Sequence, residues 1–86
     1  MVSTKVTLKI PTGLHARPVG AIVKFTENFS GSVKMVYGTA EANCKSPISL
    51  LSLGVKPGSE VEIVVEGDNE ADELASIVGF LEKLDH

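Results

Sequence analysis

Apolar residues in this chain recur at two different periods, and the way those periods interleave limits the folds open to it. From Val2 to Ile10 the pattern alternates, with Val6, Leu8 and Ile10 on one side and Lys5, Thr7 and Lys9 on the other. That is the signature of a half-buried strand. Pro11-Thr12-Gly13 ends it. After His15 the spacing changes: Val19, Ile22 and Val23 fall at helical intervals, with Phe25 and Phe29 following, which predicts a helix of about three turns broken at Ser30-Gly31. Ser32 to Tyr37 and Thr39 to Cys44 read as two short strands joined by a two-residue hairpin, with Gly38 at a positive φ.

Ser46-Pro47 then reads as an N-cap with proline in the first helical position, opening a short helix through about Leu53 that Gly54 closes. Pro57-Gly58 is a turn. Glu60 to Glu66 is a strand with Val61, Ile63 and Val65 on one face, and Gly67-Asp68 turns the chain again. Asn69 with Asp72 resembles a capping pair. Ala71, Leu74, Ala75, Val78, Leu81 and Leu84 mark the apolar side of a long C-terminal helix. The order is βαββαβα. Four strands with one apolar face need a cover, and two long amphipathic helices supply it. The expectation is an α+β open-faced sandwich, a four-stranded antiparallel sheet covered on one face by helices. Strand order stays open.

With 86 residues the chain suits one domain, residues 1–86, without repeats or linkers. Its formal charge of −3 argues against the basic footprint of a nucleic-acid binder. A single cysteine, Cys44, forms no internal disulfide, and one Cys with two His falls short of a structural zinc site, so no metal is expected. Cys44 reads as a small packing residue rather than a nucleophile. No apolar run approaches membrane-spanning length, and the expected location is the cytoplasm.

The densest chemistry lies in Gly13-Leu14-His15-Ala16-Arg17-Pro18. With the helix beginning at Ala16, His15 occupies the cap position, where Ser, Thr, Asp or Asn is usual. Pro18 is tolerated in the first turn, where backbone N–H groups lack intrahelical partners, although it removes one donor. The remaining donors are those of Ala16 and Arg17. The positive helix end disfavours imidazolium by roughly 0.3–1 kcal/mol, leaving more neutral ring with the lone pair needed to attack phosphorus. After transfer, the same donors and dipole stabilise the new negative charge. The Arg17 guanidinium suits phosphate oxygens, and Gly13 allows close backbone approach. Phosphoryl transfer is mostly positioning and charge stabilisation, so such a small set suffices in principle. No nucleotide-binding loop or carboxylate–metal cluster is apparent, so no cofactor is expected and the donor would be another phosphoprotein. From the residues alone two readings remain: a phosphoryl-accepting histidine, or a loop histidine beside an ordinary helix start.

Gly13-Leu14-His15-Ala16-Arg17-Pro18, Lys45-Ser46 and Ser52-Leu53-Gly54 resemble HPr, the histidine-containing phosphocarrier family of the bacterial phosphoenolpyruvate:sugar phosphotransferase system. The resemblance covers essentially the whole chain. It implies that Enzyme I phosphorylates His15 on Nδ1, that Enzyme IIA domains receive the group, and that Arg17 is the phosphate partner. It implies a monomeric carrier that is a substrate of other proteins rather than an enzyme with its own turnover, without nucleic-acid partners or membrane insertion.

The family also suggests a second site. Ser46 has a sufficient role as a helix cap, but in many HPr proteins the matching serine is phosphorylated by an HPr kinase/phosphorylase and engages a catabolite regulator. Pro47-Ile48-Ser49 departs from the usual Ile-Met-Gly type of sequence, stiffening the backbone beside the hydroxyl. By the same resemblance Ile48 and Leu51 form an apolar docking centre, and Lys24 and Lys45 a basic rim with on-rate as its benefit. Glu27 and Ser49 lack the positive charge other members carry. Leu50 and Leu53 read as core. Gly20 costs about 1 kcal/mol in a helix interior relative to Ala, and serves either close partner approach or close helix packing. Three alternatives stand beside sugar transport. One is a regulatory paralogue acting through Ser46-phosphate, although such paralogues are expected to lose the histidine. The others are a nitrogen-linked or regulatory phosphorelay, and a ligand-binding module with an inert His15.

Overall fold

The computed structural model describes residues 1–10, 13, 14 and 16–84. Elements follow the expected order: β1 (Val2–Thr7), α1 (Ala16–Thr26), β2 (Ser32–Tyr37), β3 (Ala40–Asn43), α2 (Pro47–Leu53), β4 (Glu60–Glu66) and α3 (Glu70–Lys83). The strands form one sheet in the order β1-β4-β2-β3, antiparallel throughout. This is the α+β open-faced sandwich. Inward rows run across it in register, such as Thr4–Ile63–Met35–Ala42 and Val2–Val65–Val33. The alternate residues lie on the other face of the sheet, where Lys34 and Glu41 are exposed and Val36, Glu62 and Val64 half-buried. α3 packs on β1 and β4, α2 on β3, and α1 on both α2 and α3. Val19 and Ile22 of α1 and Ile77 and Leu81 of α3 are fully enclosed in the core.

Several expected boundaries move, each for a visible reason. β1 ends at Thr7 rather than Ile10, although Leu8 and Ile10 do point inward. Beyond Thr7 the chain pairs with a turn instead of a strand: Leu8 N–H donates to Ser59 O (2.9 Å), and Leu8 O accepts from Gly58 N–H (2.9 Å). α1 stops at Thr26, before Ser30-Gly31. There the Thr26 hydroxyl lies 3.0 Å from Ile22 O and 3.2 Å from Cys44 O, and Phe29 N–H turns back onto Thr26 O (3.0 Å). β3 runs Ala40–Asn43 rather than Thr39–Cys44. The Asn43 side chain accepts from Lys45 N–H (2.9 Å) and its carbonyl from Ser46 N–H (3.0 Å), curling the chain toward α2.

The β2–β3 hairpin has the expected two-residue loop, Gly38-Thr39, with Gly38 at φ 64°. α2 opens and closes as its sequence dictates. Ser46 is its cap, accepting from Ser49 N–H at 3.4 Å; Pro47 is the first helical residue, and Gly54 ends it in the left-handed conformation. The start of α3 is different. Asn69 makes no side-chain cap, so the expected pairing with Asp72 does not form. Its place is taken by acids. Glu70, Asp72 and Glu73 sit in the first turn, where the helix dipole favours them. The Glu73 carboxylate also reaches across to accept from Ser30 N–H (2.8 Å) and Gly31 N–H (3.1 Å). On the apolar face of α3, Leu74, Val78, Leu81 and Leu84 pack on the core as expected, but Ala71 and Ala75 are exposed, and Ile77, which is buried, and Phe80, which stacks on Phe25 of α1 at 4.3 Å between centroids, complete it.

Candidate functional site

The hexapeptide around residue 15 sits where the end of one sheet edge passes into α1. His15 itself lies outside the described residues, as do Pro11 and Thr12, but both neighbours of His15 are described. On its N-terminal side Gly13 N–H donates to Ile10 O (3.0 Å) and Leu14 N–H to Val55 O (3.1 Å). Leu14 is buried. Gly13 has φ 77°, and a Cβ there would lie 2.9 Å from Val55 O. Only glycine fits that backbone and that contact without strain. On the C-terminal side α1 begins at Ala16, the expected position. Ala16 and Arg17 are exposed, Pro18 is buried, and no acidic residue occupies the first turn. The N–H groups of Ala16 and Arg17 thus stand at a helix start, where no intrahelical acceptor exists. The helix itself brings no carboxylate to cancel its dipole there.

The segment that holds Leu14 comes directly from α2, since Val55 follows the helix end at Leu53-Gly54. This links the exposed face of α2 to the residue before His15. Leu50 and Leu53 are buried, while Ile48 is 78% and Leu51 45% exposed. Two large apolar side chains therefore stand in solvent on the helix next to α1. Ser46 is half-buried, beside a shallow groove between β3 and α2 that Glu41, Ile48 and Ser49 help to line.

Lys24 is exposed in the last turn of α1. Lys45 is half-buried, and its Nζ donates to Phe29 O at 2.6 Å, so this lysine fastens the end of α1 to the entry of α2. Gly20 is exposed, and a Cβ added there would meet nothing within 4 Å. Close helix packing is therefore not its purpose. Cys44 is fully enclosed, and burial pushes its thiol up to about 12, which suits a packing residue and not a nucleophile. Among the described residues no group of His, Cys, Asp and Glu side chains gathers as a metal site requires.

The part of the site that sequence reasoning missed is the strap 55–59. It holds Leu8 through Gly58 and Ser59, and Leu14 through Val55. Its only signal in the sequence is the Pro57-Gly58 turn, which says nothing of what the turn touches.

Comparison with known proteins places the chain among relatives of the same architecture. A family model described as the PTS HPr component phosphorylation site matches residues 2–83. The phosphocarrier protein HPr of Mycoplasma pneumoniae is 38% identical over 84 residues, covering 96% of each chain. The crystal structure of an HPr from Thermoanaerobacter tengcongensis superimposes with a TM-score of 0.83 at 29% identity, covering all of both chains. Crh of Bacillus subtilis, described with its structure as a catabolite repression protein forming a swapped dimer, superimposes with a TM-score of 0.69 at 34% identity, covering 93% of this chain and 95% of that one. The chain belongs to the HPr family, the phosphocarrier components of the phosphotransferase system.

Proposed function

We propose that this protein accepts a phosphoryl group on His15 from phosphorylated Enzyme I and passes it to Enzyme IIA domains for sugar uptake, as a cytoplasmic, monomeric carrier without turnover of its own. The observation that carries the reading is the helix start at Ala16, free of acids in its first turn and anchored on its other side by the Leu14–Val55 bond. In the transfer a neutral imidazole nitrogen of His15 attacks phosphorus, and the bond between phosphorus and the donor breaks as the P–N bond forms. The Ala16 and Arg17 N–H groups and the Arg17 guanidinium take up the charge on the phosphoryl oxygens. Transfer onward is the same step with the acceptor protein as nucleophile.

The exposed Ile48 and Leu51 supply the apolar centre on which donor and acceptor dock in turn, with Lys24 at the rim. Lys45 contributes less as a free cation, because its ammonium is engaged by Phe29 O. Gly20 leaves open surface one turn from the helix start, room for close partner approach.

A second reading has the support of the Crh relative: phosphorylation of Ser46 by an HPr kinase/phosphorylase, with binding to a catabolite regulator. A phosphate at the start of α2 suits the helix dipole and adds about −1.5 to −2 charges to the docking face. Pro47, the first helical residue, works against it by stiffening the backbone beside the hydroxyl.

The test is incubation with Enzyme I, phosphoenolpyruvate and Mg²⁺. The expected product is an acid-labile, base-stable phosphate that is absent from His15→Ala and retained in Ser46→Ala. No label from the cognate Enzyme I overturns the reading. Incubation with ATP and the cognate kinase examines Ser46, and absence of acid-stable label removes the regulatory role.

A further inference from the structure

The charges of this chain are sharply divided. Residues 13–26 and 44–59, which include α1, α2 and the strap, contain Arg17, Lys24, Lys45 and Lys56 and no carboxylate. All 11 acidic residues lie elsewhere, in a chain whose net charge is −3. Glu27, Glu41 and Glu60 are the acids that border this region, at the far end of α1, beside the groove and immediately after the strap. Of the four cations, Lys45 is tied to Phe29 O. Lys56 is placed differently. It lies between Val55, whose carbonyl holds Leu14 N–H, and Pro57, whose Cδ is 3.3 Å from the Cβ position of Gly13. Its backbone is fixed, with its carbonyl accepting from Ser59 N–H at 3.2 Å. Its side chain is exposed and makes no hydrogen bond or ion pair among the described residues. Lys9, in the segment stitched to the same strap, occupies the outward position between buried Leu8 and Ile10, on the side away from the core.

We infer that Lys56 is a positioning residue for phosphoryl transfer: a cation on a fixed strap, against the loop that leads to His15, that steers an acidic phosphorylated partner onto this loop. The inference rests on the carrier reading above. The partner is a protein whose docking surface is acidic, as charge complementarity with an acid-free face requires. Steering by the whole field of a protein raises association rates by about 10- to 1000-fold. One of four cations sharing that effect evenly accounts for about a two- to sixfold change.

The experiment measures the rate of phosphoryl transfer from phosphorylated Enzyme I to wild type, Lys56→Gln, Lys56→Glu and Lys5→Gln, at low and at high ionic strength. Lys5 is an exposed lysine of β1 on the sheet face away from the helices and controls for net charge. Lys56→Gln is expected to be about two- to sixfold slower at low salt. Lys56→Glu is slower again, Lys5→Gln equals wild type, and all rates converge at high salt as screening removes steering. Equal rates for wild type and Lys56→Gln at low salt overturn the role of Lys56 and leave the carrier reading intact. A deficit that persists undiminished at high salt also overturns it, because a disturbed strap would behave that way. No phosphate on wild type overturns both.

Discussion

A methyl group added at Gly13 would meet Val55 O at 2.9 Å from a backbone with φ 77°. Both the conformation and the contact belong to the bond that holds Leu14, so the cost falls next to His15. Gly13→Ala is expected to lose about 1–2 kcal/mol from the left-handed backbone alone, read as a lower urea midpoint. It should also accept phosphate more slowly than wild type under conditions where both remain folded. Unchanged stability and rate would show that the strap does not position the loop. Other residues act by what they leave out. Gly20 offers no side chain on an exposed helix surface, and the first turn of α1 carries no acid. Pro18 gives no N–H, and its ring is buried beneath the helix start.

At the scale of elements, much was legible because local chemistry was consistent with the final packing. Ser46, Pro47 and Gly54 set both ends of α2 through a cap, a preset φ and a left-handed terminus, all decided within a few residues. The start of α3 was misread because its solution is not local. The acceptor for Ser30 and Gly31 N–H comes from Glu73, more than 40 residues away, and no spacing rule reports such a partner. The α3 stripe was legible at Leu74, Val78, Leu81 and Leu84, which pack on the core, but not at Ala71 and Ala75, because alanines fit either face of a helix, and Ile77 and Phe80 complete the face through tertiary contacts. Strand order was likewise undetermined by periodicity, which says which face is inside and not which edge meets which. The hexapeptide pointed to the loop and the helix start, but not to Val55 as its anchor. Glu73→Ala tests the long-range clasp. It is expected to cost about 1–2 kcal/mol in urea unfolding and to speed hydrogen exchange at the Ser30 and Gly31 amides. Unaltered exchange at both amides would mean that the carboxylate does not protect them.

At the scale of the whole molecule, the fold separates two tasks. The sheet and α3 form the enclosed support, with Ile63, Met35, Ile77 and Leu81 fully buried. The α1–α2 side presents the proposed site: a helix start without acids, two exposed apolar side chains, and Arg17, Lys24, Lys45 and Lys56 in segments that contain no carboxylate. A carrier must meet a donor and then an acceptor on the same surface and hold neither tightly. A small apolar centre with a charged rim fits this better than a deep pocket, because rim charges act on association rate more than on final affinity. The central claim is therefore about passage of the group and not its acceptance alone. The direct measurement is a chase. Protein phosphorylated by Enzyme I is freed of donor and phosphoenolpyruvate, then mixed with a purified Enzyme IIA domain from the same cell, and the label is followed on both proteins. Loss of phosphate from His15 matched by its appearance on the IIA domain is the predicted result. Label that stays on His15, or leaves only as inorganic phosphate, with every IIA domain of that cell would contradict it.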